Sequence, residues 1–207
     1  MTQDADLLAR VQRAIDPDVF ARLSQMQVAF VDENGIEIGQ TSVIDAHLGE
    51  AKRHRAASVF LFSDSGKMLM QQRAKQKIVG GELWSNTICG NARPSESSEA
   101  CAHRRLREEL GIEGVVLEQV DSFEYRVPCD AFFSEWEFDT AFIGTYSAEP
   151  TPNPQEVMGW EYLSFDVIQK QLEDYPEKFS PWFRVFIKRP KILEMFHAVS
   201  RQIVEKE

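Results

Sequence analysis

The stretch Asn86–Ile112, NTICGNARPSESSEACAHRRLREELGI, constrains this chain more than any other. It opens on an apolar–polar alternation that ends at Cys89 and Gly90, the period of a strand. A polar turn over 91–95 follows, then a run rich in Glu and Arg that reads as a helix and closes at Leu110-Gly111. Strand, turn and helix in that order set a thiol beside a helix of carboxylates and guanidinium groups. That layout suits chemistry on a charged substrate. Ser95 is placed as the helix N-cap, and Ser98 stands where a full capping box would need an acid.

The flanking chain supplies strands and a few helices in irregular order. Apolar residues at Leu7, Leu8, Val11 and Ile15 recur with a helical period, and Asp16-Pro17 reads as the cap and first residue of a second helix. Residues 1–26 are therefore expected to be a helical extension that packs on the body, residues 27–207. Strands are predicted over 27–32 and 36–40, joined by the Asn34-Gly35 turn, then over 57–62, 68–73, 83–89, 115–127, 135–146 and 157–163. Residues 41–55 are polar and mixed and hold His47 and His54; 75–82 read as loop. Closing helices are predicted over 165–172 and 181–204. The mixture indicates an α+β fold.

Composition narrows the function. The net charge of −10 argues against a nucleic-acid binder, while carboxylates can collect divalent metal. Three cysteines without paired spacing suit a reducing compartment. The N-terminus lacks a signal-peptide apolar core, and no run approaches ~20 apolar residues, so the chain is expected to be cytoplasmic and off the membrane.

Gly90, Glu96, Arg104 and the run through Ile112 resemble the Nudix box, G-x5-E-x7-R-E-U-x-E-E-x-G-U with U aliphatic. A solvated Glu/Arg helix face would share the composition but not the fixed spacing. Carboxylates on one face of such a helix gather Mg²⁺ together with diphosphate oxygens, and the resemblance assigns that task to Glu109. One position departs: Arg105 stands where a Nudix hydrolase has a glutamate. The swap removes a metal carboxylate and adds a cation, which favours gripping a diphosphate over cutting it.

A narrower resemblance follows from Asn86-Thr87-Ile88-Cys89-Gly90, from Ala46-His47, His54, Arg73-Ala74, Leu83-Trp84, Phe123-Glu124-Tyr125-Arg126, Glu135-Trp136-Glu137, Glu156-Val157-Met158 and from Phe179-Ser180-Pro181-Trp182. These resemble the type 1 isopentenyl-diphosphate isomerases, a branch of the Nudix superfamily, from about residue 27 to 196. The resemblance implies a Nudix fold, a mixed sheet flanked by helices. It implies a divalent metal among three histidines and two glutamates. His47, His54, Glu135 and Glu137 fill four places, and Asn91 stands in the fifth, where the family has histidine. An amide ligates Mg²⁺ or Mn²⁺ acceptably but is a poor exchange toward Zn²⁺. Glu135 and Glu137 are two apart, on one face of a strand. Trp136 between them should face the other way, into core. Val43 stands where the family has a phosphate-contacting lysine, which leaves Arg73, Lys77 and Arg105 as the diphosphate partners.

Moving a C=C bond by one carbon needs one proton added and another removed, with no carbonyl to acidify either. By resemblance Cys89 and Glu137 perform the two transfers, in either direction, from opposite sides of the alkene. Tyr125 and Trp182 correspond to pocket aromatics that can stabilise a carbocation, Tyr125 also orienting an acid. His103 and His197 read as structural, Cys101 and Cys129 as small buried side chains. The expected activity is isomerisation of isopentenyl diphosphate by a monomer or homodimer. Open beside it stand a divergent enzyme protonating a longer or modified prenyl diphosphate, a Nudix diphosphohydrolase, and a diphosphate-binding module without turnover.

Overall fold

A computed structural model of the protein describes residues 2–204, and side chains over 5–199. Residues 1 and 205–207, the outermost parts of the expected extension and body, lie outside these. Among the described residues are α1 (Thr2–Ala14), α2 (Pro17–Gln25), β1 (Gln27–Val31), β2 (Glu37–Ser42), α3 (Val43–His47), β3 (His54–Phe62) and β4 (Met68–Arg73). Then come β5 (Trp84–Ser85), β6 (Ile88–Asn91), α4 (Ser98–Leu110), β7 (Glu118–Pro128), β8 (Ser134–Thr145) and β9 (Val157–Leu163). The chain closes with α5 (Phe165–Asp174), a 3-10 turn at Pro176–Lys178, α6 (Pro181–Phe186) and α7 (Pro190–Val204). The nine strands form one mixed sheet flanked by helices, the α+β arrangement expected.

The spine is β3, apolar from Ala56 onward except for Ser58 and buried on both faces. Alternation along it splits the core. Phe60 and Phe62 point into an aromatic-rich layer with Phe123, Phe183, Phe186 and Phe196 under α6 and α7. Val59 and Leu61 point the other way, into a layer with Leu106 and Leu110 of α4. Each such buried side chain contributes roughly 1.5–3 kcal/mol. Val11 of α1 joins the aromatic layer.

Register positions the chemistry. β3 runs parallel to β8, with His54 opposite Glu137 and Ala56 opposite Asp139. On its other side β3 runs antiparallel to β6, with Ser58 opposite Cys89 and Ala56 opposite Asn91. β7 runs antiparallel to β8, with Tyr125 opposite Glu137.

Four expectations change. The strand over 83–89 is broken: Asn86 turns its side-chain amide to the carbonyls of Val59 and Ile88, at 3.2 and 2.6 Å, and Thr87 donates to the Leu69 carbonyl at 2.7 Å. Polar side chains take over the ladder's work there. The helix cap is Ser97, which accepts from Ala100 N–H at 3.1 Å; Ser95 has φ of 63° and belongs to the turn. The helix over 181–204 is two helices, because Pro190 lacks the N–H an unbroken helix needs. Residues 43–47, read as part of a mixed polar stretch, form α3, capped by Ser42 accepting from Asp45 N–H. The Asp16 cap stands as expected, accepting from Asp18 and Val19 N–H.

Candidate active site

Two strand ends, a short helix and the turn before α4 meet at a cleft of about 390 Å³. His47, Cys89, Asn91, Glu135 and Glu137 line one part, and Arg73, Lys77, Arg105, Glu156 and Trp182 another. Every residue singled out for chemistry in the sequence is therefore in the cleft wall or directly behind it.

The first group gathers around β8. Glu137 Oε2 accepts from the Tyr125 hydroxyl at 2.6 Å and from the Cys89 thiol at 3.8 Å. Burial, and then the Glu137 carboxylate, push both the Cys89 thiol and the Tyr125 phenol well above their ordinary pKa values, so both keep their protons. The sulfur and the carboxylate are in contact, with no room for a carbon between them.

His47 and His54 each turn Nδ1–H to a backbone carbonyl, of Val43 at 2.7 Å and Lys52 at 2.8 Å. Those bonds leave the neutral rings with their lone pairs on Nε2. The two Nε2 atoms and a Glu135 oxygen lie within 4.8 Å of one another, all buried. His47 Nε2 is 3.1 Å from Glu135 Oε2, and His54 Nε2 is 3.6 Å from Glu137 Oε1. Among the described residues, neither His54 Nε2 nor Glu135 Oε2 has a well-directed hydrogen-bond partner. Buried ring nitrogens and carboxylate oxygens converging on one point fit a cation. With none bound, Glu135 outweighs the effect of burial and raises the His47 pKa to about 9, while His47 holds the Glu135 carboxyl below its usual range despite burial. Asn91 stands at the edge of this group, Nδ2 3.5 Å from His47 Nε2; turning the amide over would present its oxygen instead.

The second group is saturated. Arg105 donates to Glu109 Oε1 at 2.8 and 2.6 Å and to Glu156 Oε2 at 2.9 Å. Lys77 Nζ sits 2.5 Å from Glu156 and 3.7 Å from Glu109, and Gln71 donates to Glu109 at 3.0 Å. Glu109 is fully buried. Arg105, then Lys77, hold its carboxyl low against burial. Burial lowers the Lys77 pKa. Arg73 donates to the Val79 carbonyl at 3.2 and 2.9 Å and lies 4.8 Å above the Trp182 ring. Trp182 in turn donates Nε1–H to Ser85 Oγ at 3.0 Å.

Two glycines make these approaches possible. A Cβ on Gly90 would come within 2.7 Å of the Arg105 side chain, and one on Gly80, at φ +62°, within 2.7 Å of the Trp182 ring. The other box acid, Glu96, is structural: it accepts from Arg104 at 2.7 Å and from Arg93 N–H, pinning the turn to α4. Trp136 does face away from its glutamates, as expected, but it is not core. It is half-buried between Arg53 and Arg126 and donates to Glu124 at 2.6 Å.

Sequence reasoning missed Asp139. It continues the row Glu135, Glu137, Asp139 on the same face of β8, is fully buried, and neither oxygen has a hydrogen-bond partner among the described residues. Burial, and then Glu137, push its carboxyl well above the usual range. The period-two spacing of the three acids was the available signal.

The comparisons with known proteins decide the family. Residues 52–183 match the family described as NUDIX domain. The chain is 38% identical over 163 residues to isopentenyl-diphosphate Delta-isomerase 1 of Aromatoleum aromaticum, covering 79% of this chain and 91% of that protein. It is also 38% identical over 178 residues to an isopentenyl-diphosphate Delta-isomerase of Nocardia farcinica, covering 86% and 98%. The chain belongs to the type 1 isopentenyl-diphosphate delta-isomerases of the Nudix superfamily. Among solved structures, DR0079 from Deinococcus radiodurans superposes with a TM-score of 0.63 at 19% identity, covering 84% of this chain and 98% of that one. A MutT protein from Methanosarcina mazei gives 0.53 at 17%, covering 72% and 94%. Those likenesses speak to the fold alone. No helix among the described residues is long and apolar enough to cross a membrane.

Proposed function

We propose that this chain isomerises isopentenyl diphosphate to dimethylallyl diphosphate. The family supports the reaction, since the relatives carry that name. The observation that carries the residue roles is the contact of Cys89, Glu137 and Tyr125 at the wall of a cleft whose other side is cationic.

Cys89 and Glu137 are the proton-transfer pair. The thiol holds a proton and the carboxylate oxygen accepts, so one movable proton lies between them. Substrate entry parts the pair, which leaves a proton-bearing group on one side of the alkene and an acceptor on the other. Tyr125 keeps Glu137 oriented during the exchange. The indole of Trp182 and the ring of Tyr125 offer electron-rich surfaces to a tertiary cation without attacking it. Arg73, Lys77 and Arg105 clasp the diphosphate. For Lys77 and Arg105 this means exchanging contacts with Glu109 and Glu156 for phosphate oxygens.

A divalent cation, Mg²⁺ or Mn²⁺, would be held by His47, His54 and Glu135, with Glu137 and the Asn91 amide completing the set. It would fix the charge and the aim of Glu137. Glu109, to which the resemblance gives a Mg²⁺, would have to release Arg105 from Oε1 before it could hold one, and the metal would then supply charge for the diphosphate. Hydrolysis is disfavoured because Arg105 occupies Glu109 where a second carboxylate would assist a metal.

Incubation with isopentenyl diphosphate in D₂O and Mg²⁺, followed by NMR, tests the reading. Deuterium is expected in the methyl groups of dimethylallyl diphosphate. Cys89→Ala and Glu137→Gln should each lower kcat by about 10³-fold or more. Full activity of Cys89→Ala would remove the thiol from the mechanism. Free pyrophosphate as the sole product would overturn isomerisation, and turnover confined to longer prenyl chains would redirect the substrate assignment.

A further inference from the structure

The cleft has a third wall, built by α2. Leu23 of that helix turns inward and closes a small apolar cluster with Val28, Val43, Ile44 and Ala46. The preceding residue, Arg22, is exposed and lines the cleft, as do Leu23 and Met26. Val43, which offers no cation of its own, is covered by the very helix that brings Arg22.

The cations of the cleft differ in their partners. Arg105 is bound to Glu109 and Glu156, Lys77 to Glu156, Arg104 to Glu96 and Glu108, and Arg93 to Glu108. Arg73 is held by the Val79 carbonyl. Arg22 has no side-chain hydrogen bond or ion pair among the described residues, and the acids lining the cleft are Glu135, Glu137 and Glu156 alone. A cleft with more guanidinium and ammonium groups than carboxylates selects an anion, and the cation without an acceptor is the one free to take it without breaking a bond first.

We propose that Arg22 is a substrate-binding residue: α2 carries it to the cleft to contact the diphosphate of the substrate. The helix pair before β1 is then part of the binding site as well as of the packing. The proposal rests on the prenyl-diphosphate reading given above, and its test is separable from that reading.

The probe is inorganic pyrophosphate at fixed Mg²⁺, with affinity measured by calorimetry on wild type, Arg22→Ala, Arg22→Lys and Arg13→Ala. Arg13 is an exposed cation of α1 that does not line the cleft. Arg22→Ala should weaken pyrophosphate about 5- to 20-fold, the range for losing one solvent-accessible charge-assisted contact. Its KM for isopentenyl diphosphate should rise by the same factor while kcat stays within about two-fold, since the contact is to a part of the substrate that does not react. Arg22→Lys should recover most of the affinity, and Arg13→Ala should stay within about two-fold of wild type. Arg22→Ala binding pyrophosphate as wild type does would overturn the proposal, and so would an equal loss in Arg13→Ala, which would reduce the effect to a long-range field. If the wild type fails to turn over isopentenyl diphosphate, the functional reading falls and the pyrophosphate measurement still decides the role of Arg22.

Discussion

The two halves of the cleft handle buried charge in opposite ways. Around His47, His54 and Glu135, buried ligand atoms converge, and His54 Nε2 and Glu135 Oε2 have no well-directed partner among the described residues. Around Arg105, Lys77, Glu109 and Glu156, every charge is matched at 2.5–3.7 Å. The first half is incomplete in the protein alone and suits a resident cation. The second is complete by itself and must open to admit an anion. Burial costs are met in one place by a ligand and in the other by neighbours, so removing one side chain should have opposite consequences in the two.

The largest effect is expected in the matched half. Glu109→Gln leaves Arg105 and Lys77 facing a neutral amide and should destabilise the fold by about 3–5 kcal/mol, read by denaturant unfolding. A loss below about 1 kcal/mol would show that the network is not what holds α4 to the loop after β4. In the incomplete half the order should reverse. His54→Leu removes Nε2, which has no hydrogen-bond partner among the described residues, along with a single Nδ1–H bond to the Lys52 carbonyl, so the metal-free protein should lose less than about 2 kcal/mol while divalent-metal affinity falls about 10- to 100-fold or more. Strong unfolding with unchanged metal affinity would make that cluster a structural one and erase the contrast.

The smallest effect concerns acid. Lys77 and Arg105 outweigh burial and hold the Glu156 carboxyl at about 2, below its ordinary 4.5. A carboxyl depressed in the fold contributes stability that is complete above the ordinary value and lost as pH falls toward the depressed one. Unfolding free energy should therefore drop between about pH 4.5 and pH 2, with Glu156 accounting for on the order of 2 kcal/mol of the drop. Glu156→Gln should lower stability at neutral pH and flatten the profile in that window. An unchanged profile would show that the carboxylate is screened by solvent.

Much of this was legible in the chain. The Gly90–Ile112 spacing carried the fold, because a helix that binds charge at fixed offsets cannot be rearranged without losing them. The places of His47, His54, Glu135 and Glu137 in a metal set came from the family resemblance, and the residues alone gave only the period-two spacing that puts the two glutamates on one strand face. Asp139 was not read, although it extends the same period, since one more acid on a strand looks solvated until both faces of the sheet are known to be covered. The helix over 43–47 escaped because one turn is too short for periodicity. Trp136 was assigned to core because an aromatic on a strand usually is. Arg53 and Arg126, distant in sequence, make it a surface sandwich instead.

The sequence by itself determined the family, through motifs spread from Ala46 to Trp182, and the strand–turn–helix at its centre, because these depend on residue identity and on spacing along the chain. Tertiary structure alone decided which of them meet. Parallel pairing of β3 with β8 brings His54 to Glu137, and antiparallel pairing of β3 with β6 brings Cys89 alongside. α2 carries Arg22 to the rim. Those contacts join residues tens of positions apart, and only the packing of a sheet buried on both faces fixes the register that creates them.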